Sequence, residues 1–231
     1  SFMPLIIGKI LWLVLHEPMV IFINFQNFDD QHLRGEEAEL ALLEENPKAH
    51  NIKILDMACG SGSFLLKAYD FLVKYNKNEL DFLRKISILT NNIYGVDLDP
   101  KSIEIAQLNL LLKTLEKRRL LPKLQENLKV GNSLIEDSKV SERAFRWDSE
   151  FKGKFDVIIG NPPYIRTHQI SEKDKSYFGK NYKSAIKQYD IYVLFYEKAI
   201  NLLKDKGKIG FITSNKFTVT DYGFELRKLI L

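Results

Sequence analysis

The stretch Ile52–Tyr75, I-K-I-L-D-M-A-C-G-S-G-S-F-L-L-K-A-Y-D-F-L-V-K-Y, decides the fold. Ile52 to Met57 is a short apolar run of the kind buried on both faces of a sheet. Gly60 and Gly62 then make a turn, and from Ser63 to Tyr75 the apolar residues Phe64, Leu65, Ala68, Phe71 and Leu72 recur at three and four, which predicts a helix. A strand, a glycine turn and a helix make the opening of a parallel α/β unit, and the same rhythm repeats downstream. Ile93 to Val96 is a second strand, followed by a helix from Ser102 to about Leu115. Leu128 to Val130 is a short third strand and Phe155 to Ile159 a fourth. Ile191 to Leu203 reads as a helix and Lys208 to Thr213 as a fifth strand. The expected architecture is a doubly wound, mostly parallel, Rossmann-like α/β sheet with helices on both faces.

Composition agrees with a globular enzyme-sized domain. The 231 residues are 45% hydrophobic and 28% charged, which excludes a disordered or collagen-like chain. Thirty-four Lys and Arg against thirty Asp and Glu give a formal charge of +4, a bias that permits a polyanionic partner without demanding one. Cys59 stands alone and the four histidines, His16, His32, His50 and His168, show no ligand spacing with it. The expectation is a reducing, cytoplasmic compartment and no structural metal. Residues 3–25 are rich in Leu, Ile, Val and Phe, but Lys9, His16, Glu17 and Pro18 interrupt them, so they read as buried core and not as a membrane span. Residues 29–50 look like a polar, amphipathic helix ended by Pro47. Residues 1–50 are thus a separate N-terminal segment without an assigned role, and 51–231 read as the α/β domain.

Three strand ends carry chemistry. In Asp56-Met57-Ala58-Cys59-Gly60-Ser61-Gly62-Ser63 the glycines let a ligand lie against backbone, and the helix start offers free amides. An isolated G-x-G fits a mere tight turn equally well. The second strand ends Tyr94-Gly95-Val96-Asp97-Leu98-Asp99-Pro100, where Asp97 is placed to take the two hydroxyls of a ribose, while Asp99 and Pro100 read as a helix cap. Asp56 would repel a pyrophosphate and suits an amino group, and Leu65 breaks the G-x-G-x-x-G spacing, so a dinucleotide is disfavoured. After the fourth strand comes Gly160-Asn161-Pro162-Pro163-Tyr164, a stiff turn by its prolines. An exocyclic base amine is a poor nucleophile because its lone pair is delocalised into the ring. The Asn161 side-chain oxygen and the Pro162 carbonyl, aimed at its two hydrogens, would favour a pyramidal nitrogen, and Tyr164 offers a face for the base.

These motifs, in this order, resemble the S-adenosyl-L-methionine-dependent DNA methyltransferases that modify adenine N6, in the gamma arrangement of type IIG restriction-modification proteins. The resemblance runs from about Ile54 to Leu231: DMACGSGSF, YGVDLDP, VGNSL (Val130 to Leu134), GNPPY, the D-I-Y-V-L-F start at Asp190 and GKIGFITSNKF from Gly207. It implies the class I methyltransferase fold, with Asn161, Pro162 and Tyr164 catalytic. It further implies that Asp56, Ala58, Cys59, Gly60 and Gly62 hold the methionine end of the cofactor, Asp97 the ribose and Leu98 one adenine face. Asn132 and Ser133 would lie at the adenine edge and Pro163 near its other face. Met57 replaces the family's usual proline, and Asn132 stands where many relatives carry aspartate, which implies a weaker cofactor site. No Tyr-Thr-Pro or Phe-Thr-Pro segment precedes the motifs, and the chain ends before a target-recognition domain, so it reads as a catalytic core with further recognition or nuclease domains expected on the same polypeptide.

The expected partner is double-stranded DNA with a flipped adenine, since the target atom lies inside the duplex. Residues 165–189 hold six basic residues with Tyr177, Phe178, Tyr182 and Tyr189 interleaved, and are expected to be a DNA-facing loop in which Arg166, Lys180 and Lys183 meet phosphates. A solvated lysine-rich loop is the plainer alternative. Residues 137–154 read as a polar loop with a short element. Two other functions stay open: methyl transfer to RNA bases or protein glutamine, and a binding module that keeps the fold without activity.

Overall fold

A computed structural model describes residues 21–23, 52–75, 82–114 and 121–230. Among the described residues six strands form one sheet: β1 (Ile21–Ile23), β2 (Ile54–Asp56), β3 (Ile93–Asp97), β4 (Leu128–Val130), β5 (Phe155–Gly160) and β6 (Leu203–Phe211). Their order is β1-β6-β5-β2-β3-β4, with β1 antiparallel to β6 and every other pair parallel. From β2 the chain winds outward through β3 to β4, then returns to lay β5 on the opposite side of β2. The gap between β2 and β5 is therefore the topological switch point, where a parallel sheet opens a crevice at its carboxyl ends.

The strands alternate between two cores. Ile54, Val157 and Ile159 face a cluster with Leu65, Ala68 and Leu72 of α1 (Ser63–Tyr75), Ile88 and Leu89 of α2 (Phe82–Asn91), and Ile103, Ala106 and Leu110 of α3 (Pro100–Lys113). Leu55, Ile158 and Ile209 face the other, built on α6 (Tyr192–Leu202) and α7 (Phe224–Ile230). Both faces of the central strands are thus dry, which is why those strands carry continuous apolar runs. The doubly wound, mostly parallel α/β fold read from the sequence is the fold observed.

Helix α1 has the expected bounds, and α3 starts two residues early, at Pro100. Its cap is Asp99, whose Oδ1 accepts from the Lys101 amide at 3.1 Å and Oδ2 from the Ser102 hydroxyl at 3.0 Å. Several expectations need correction. Residues 137–154 are not merely polar: Phe145, Trp147 and Phe151 are buried around the short α4 (Trp147–Glu150). Residues 165–189 are not an open loop either, because Thr167–Gln169 form a 3-10 turn and Glu172–Asn181 form α5. Phe178, Tyr182 and Tyr189 are buried there, so these aromatic rings serve the core and are not free to stack on bases. The last strand begins at Leu203, five residues early, and ends at Phe211. Helix α2 has no counterpart among the elements read from the sequence. Of the apolar segment 3–25, Ile21–Ile23 form the edge strand β1, while its remainder and the helix expected at 29–50 lie outside the described residues. Among the described residues no helix is long and apolar enough to cross a membrane.

Candidate active site

Asp56, Asp97 and Gly160 are the last residues of β2, β3 and β5, and these strands are neighbours. Strand pairing sets Asp56 opposite Gly95 on one side and Ile159 on the other. The loops that follow the three strands therefore rise from one edge of the sheet.

Asp56 is 1% exposed, and its Oδ1 accepts from the Ala58 amide at 3.0 Å. Its Oδ2 is buried with no hydrogen-bond partner among the described residues. A buried carboxylate oxygen left unpaired is costly, and burial, reinforced by the nearby Asp97 charge, pushes the Asp56 pKa up to about 7 despite the Ala58 amide. The carboxylate lies against Gly160: a Cβ there would sit 2.6 Å from Asp56 Oδ1, and Gly160 holds φ at +150°. Only glycine allows that approach.

Asp97 is better satisfied. Its Oδ2 accepts from the Gly60 amide at 2.8 Å and its Oδ1 from the Asp99 amide at 2.9 Å, which ties the first loop to the second. Gly60 takes φ of +51°, with open space where a Cβ would be, so a ligand can approach its backbone. Gly62, at φ of +87°, is needed for another reason, since its Cβ would meet Ala106 of α3 at 3.1 Å. Ala58 is half-buried. Cys59 is buried, and its thiol pKa is driven upward by burial and by the Asp56 and Asp97 carboxylates, which removes it as a nucleophile. Leu98 is 51% exposed directly after β3, an apolar side chain turned to solvent beside the Asp97 carboxylate.

After β5, Asn161 is exposed, and no side-chain partner holds its amide among the described residues. No backbone donor among them takes the Pro162 carbonyl. Two acceptors are therefore unspent next to each other. Pro162 itself is buried and Pro163 half-buried. Tyr164 is 53% exposed, and its hydroxyl donates to the Ile212 carbonyl at 3.0 Å, while its ring packs against Tyr192 at 6.0 Å between centroids. The ring is held by its hydroxyl and by Tyr192 and stays half exposed.

The segment after β4 holds the remaining residues. Asn132 Oδ1 accepts from the Leu134 amide at 3.1 Å. Ser133 is buried, and its hydroxyl donates to the Met57 carbonyl at 2.6 Å, so its side chain braces the first loop and does not face outward. Three contacts here escape sequence reading. Trp147 Nε1 donates to the Ser133 carbonyl at 3.0 Å, and the Arg143 guanidinium donates to the Leu98 carbonyl while the Arg143 carbonyl accepts from the Asn132 amide at 2.6 Å. Arg166, Lys180 and Lys183 are exposed on the segment that follows Tyr164, Arg166 directly after the turn.

Residues 91–231 match the family described as Eco57I restriction-modification methylase. The chain belongs to that family. It is 36% identical over 214 residues to the type II restriction enzyme and methyltransferase RM.Eco57I of Escherichia coli, covering 78% of this chain and 21% of that protein. It is 27% identical over 218 residues to the adenine-specific methyltransferase PglX of Streptomyces coelicolor, covering 76% of this chain and 18% of that protein. The chain thus spans about a fifth of these relatives. In structure it is similar to the type IIL restriction-modification enzyme MmeI, solved in complex with DNA, with a TM-score of 0.60 at 18% identity over 98% of this chain and 30% of MmeI. That likeness is one of fold, the class I methyltransferase fold that the sequence motifs imply.

Proposed function

We propose that this chain transfers the methyl group of S-adenosyl-L-methionine to the N6 amino group of adenine in duplex DNA, as the catalytic core of a restriction-modification enzyme. The observation that carries the reading is the contact between Asp56 and Gly160. It sets a buried carboxylate with one unpaired oxygen directly beside the turn that presents the unspent Asn161 and Pro162 oxygens.

The residues fit the cofactor. The orphaned Asp56 Oδ2 is placed for an ammonium, which would return its pKa toward an ordinary carboxylate value. Asp97 keeps lone pairs for the ribose hydroxyls, Leu98 offers the adenine an apolar face, and Asn132 lies at the start of the third loop. Pro163 would close the other side, and the Ala58–Gly62 backbone would line the methionine end. When bound, S-adenosyl-L-methionine supplies an electrophilic methyl group on a sulfonium.

Asn161 Oδ1 and the Pro162 carbonyl accept hydrogen bonds from the two N6 hydrogens of the target adenine and hold the nitrogen with its lone pair toward the methyl. Tyr164 stacks on the flipped base, its own orientation fixed by the Ile212 carbonyl and by Tyr192. Neither loop presents a nucleophile, so the transfer is direct and rests on positioning. The released amine proton passes to solvent at the exposed Asn161.

The test is tritiated methyl transfer to adenine-containing duplex by the intact polypeptide, with Asn161→Ala as the variant and nucleoside analysis of the product. The expected result is N6-methyladenine and a loss of about 10²-fold or more in the variant. Undiminished transfer by Asn161→Ala, or label recovered in RNA or in a protein amide, overturns the reading.

A further inference from the structure

We infer that the groove between residues 136–146 and helix α5 is a docking surface for the sugar-phosphate backbone of the DNA beside the target base. The groove is open to solvent, with a volume of about 870 Å³, and is lined by Lys139 and Arg146 on one wall and Lys173 and Lys180 on the other. This rests on the methyl-transfer reading above and adds to it a second wall that the lysine-rich segment 165–189 alone does not contain.

Spacing puts the α5 groups together. Lys173, Ser176, Tyr177 and Lys180 are three, four and seven apart and share one face of the helix. Charge is unbalanced on that face. None of the four cations pairs with an acid among the described residues, whereas Lys175, off the groove on the same helix, pairs with Glu172 at 2.7 Å. The groove also holds Glu136 and Asp137. Glu136 is paired with Lys198 at 2.7 Å, and Asp137 Oδ1 is taken by the Lys139 amide at 2.8 Å. Asp137 keeps its charge in the groove, so the four cations exceed the unpaired carboxylate there by three, and an extended anion can meet all four at once.

The walls are locked in place. Tyr177 Oη accepts from the Glu136 amide at 3.0 Å, and the Tyr182 hydroxyl donates to the Leu134 carbonyl at 2.7 Å, with Phe178 buried beneath. Tyr177 keeps its own proton to donate, and the exposed Ser176 has a free hydroxyl. Neutral donors interleaved with cations suit phosphate oxygens, which position a duplex without reading its sequence. Both walls also leave from the right edge: one follows the end of β4, beside Asp97, and the other follows the Asn161–Tyr164 turn.

The experiment is fluorescence anisotropy of a labelled random-sequence duplex against this chain over a potassium chloride series. The variants are the quadruple K139Q/R146Q/K173Q/K180Q and its two halves, with K152Q/K154Q at the amino end of β5 as control. The slope of log affinity on log salt should flatten by about 0.9 for each phosphate deprived of its cation, so by about 3 to 4 in the quadruple and about half that in each pair. The control should keep the wild-type slope, and S-adenosyl-L-methionine affinity should be unchanged in every variant. An unchanged slope in the quadruple, with wild type binding duplex, refutes the groove and leaves methyl transfer standing. An effect confined to the α5 pair refutes the two-walled site. Preference for an acidic peptide or single-stranded RNA over duplex refutes the assigned occupant. Failure of wild type to bind either duplex or S-adenosyl-L-methionine refutes the functional reading and the groove with it.

Discussion

Replacing Asp56 by asparagine should stabilise the protein at neutral pH while disabling it. Asp56 is fully buried, and its pKa rises from 3.8 to about 7. At about 1.4 kcal/mol for each tenfold change, ionising it in the folded state costs about 4 kcal/mol more than in the unfolded chain. The raised value means the folded state holds the proton more tightly, so the cost is absent below about pH 4, grows as pH rises, and is fully felt above about pH 7. The substituted amide would keep the acceptor for the Ala58 amide and set an NH₂ where the carboxyl, protonated at pH 4, already leaves an O–H unpaired, so the pH-independent difference is about 1 kcal/mol or less. D56N is therefore expected to be close to wild type in stability at pH 4. The difference should move by about 4 kcal/mol in favour of D56N by pH 8, without cofactor. Urea denaturation of both proteins at pH 4, 5, 6, 7 and 8 reads this directly, because other titrating groups cancel in the difference. In the same series S-adenosyl-L-methionine should stabilise wild type strongly at pH 8 and D56N hardly at all. A difference between the two proteins that stays flat across pH 4 to 8 would refute the reasoning, since it would mean that Asp56 is solvated or already paired.

Gly160→Ala should damage stability and cofactor binding together, because the new Cβ falls 2.6 Å from Asp56 Oδ1 in a backbone conformation that side chains avoid. A loss of about 2 to 4 kcal/mol by urea denaturation is expected, and a change under about 0.5 kcal/mol would mean that Asp56 does not lie against the turn. Tyr164→Phe removes the hydroxyl bond to Ile212 but keeps the ring, and should cost under tenfold in methyl transfer, whereas Tyr164→Ala should cost about 10²-fold with unchanged S-adenosyl-L-methionine affinity. Equal losses in the two variants would show that the hydroxyl, and not the stacking face, matters.

What the sequence disclosed follows from where side-chain identity is forced. The bounds of α1 are legible because Phe64, Leu65, Ala68 and Leu72 all bury against one core, so the apolar period reports the helix directly. The strand ends are legible because Asp56, Asp97, Gly60, Gly62 and Gly160 each occupy positions that few residues tolerate. Helix α5 is hidden because it anchors chiefly through Phe178, and one buried ring in a lysine-rich run leaves no periodic trace. Residues 137–154 mislead for the opposite reason. Phe145, Trp147 and Phe151 pack together, with centroids 4.8 to 6.0 Å apart, but their spacing fits neither a strand nor a helix. That spacing reflects an irregular segment packed against one face of the sheet. The inward turn of Ser133 is beyond sequence reading, since nothing in V-G-N-S-L distinguishes a hydroxyl offered to a ligand from one donated to the Met57 carbonyl.

The distribution of spent and unspent oxygens also fixes a direction along the sheet edge. Two carboxylates stand at neighbouring strand ends, and either alone would attract an ammonium. Both oxygens of Asp97 already accept a hydrogen bond, from the Gly60 and Asp99 amides, while Asp56 has one amide and one bare, buried oxygen. The unmet electrostatic demand is therefore at β2, on the side facing β5, and the apolar, solvent-facing Leu98 is on the side facing β4. On the proposed function, a molecule with an ammonium at one end and a purine at the other settles in one orientation only. Its ammonium end then lies at the β2 end, next to Gly160 and the turn that begins at Asn161, and its purine end towards β4. The reversed orientation would leave the ammonium against Leu98 and set the purine against a bare carboxylate. Selection between these orientations needs no residue dedicated to it, because it comes from which of two aspartates the backbone has left unsatisfied.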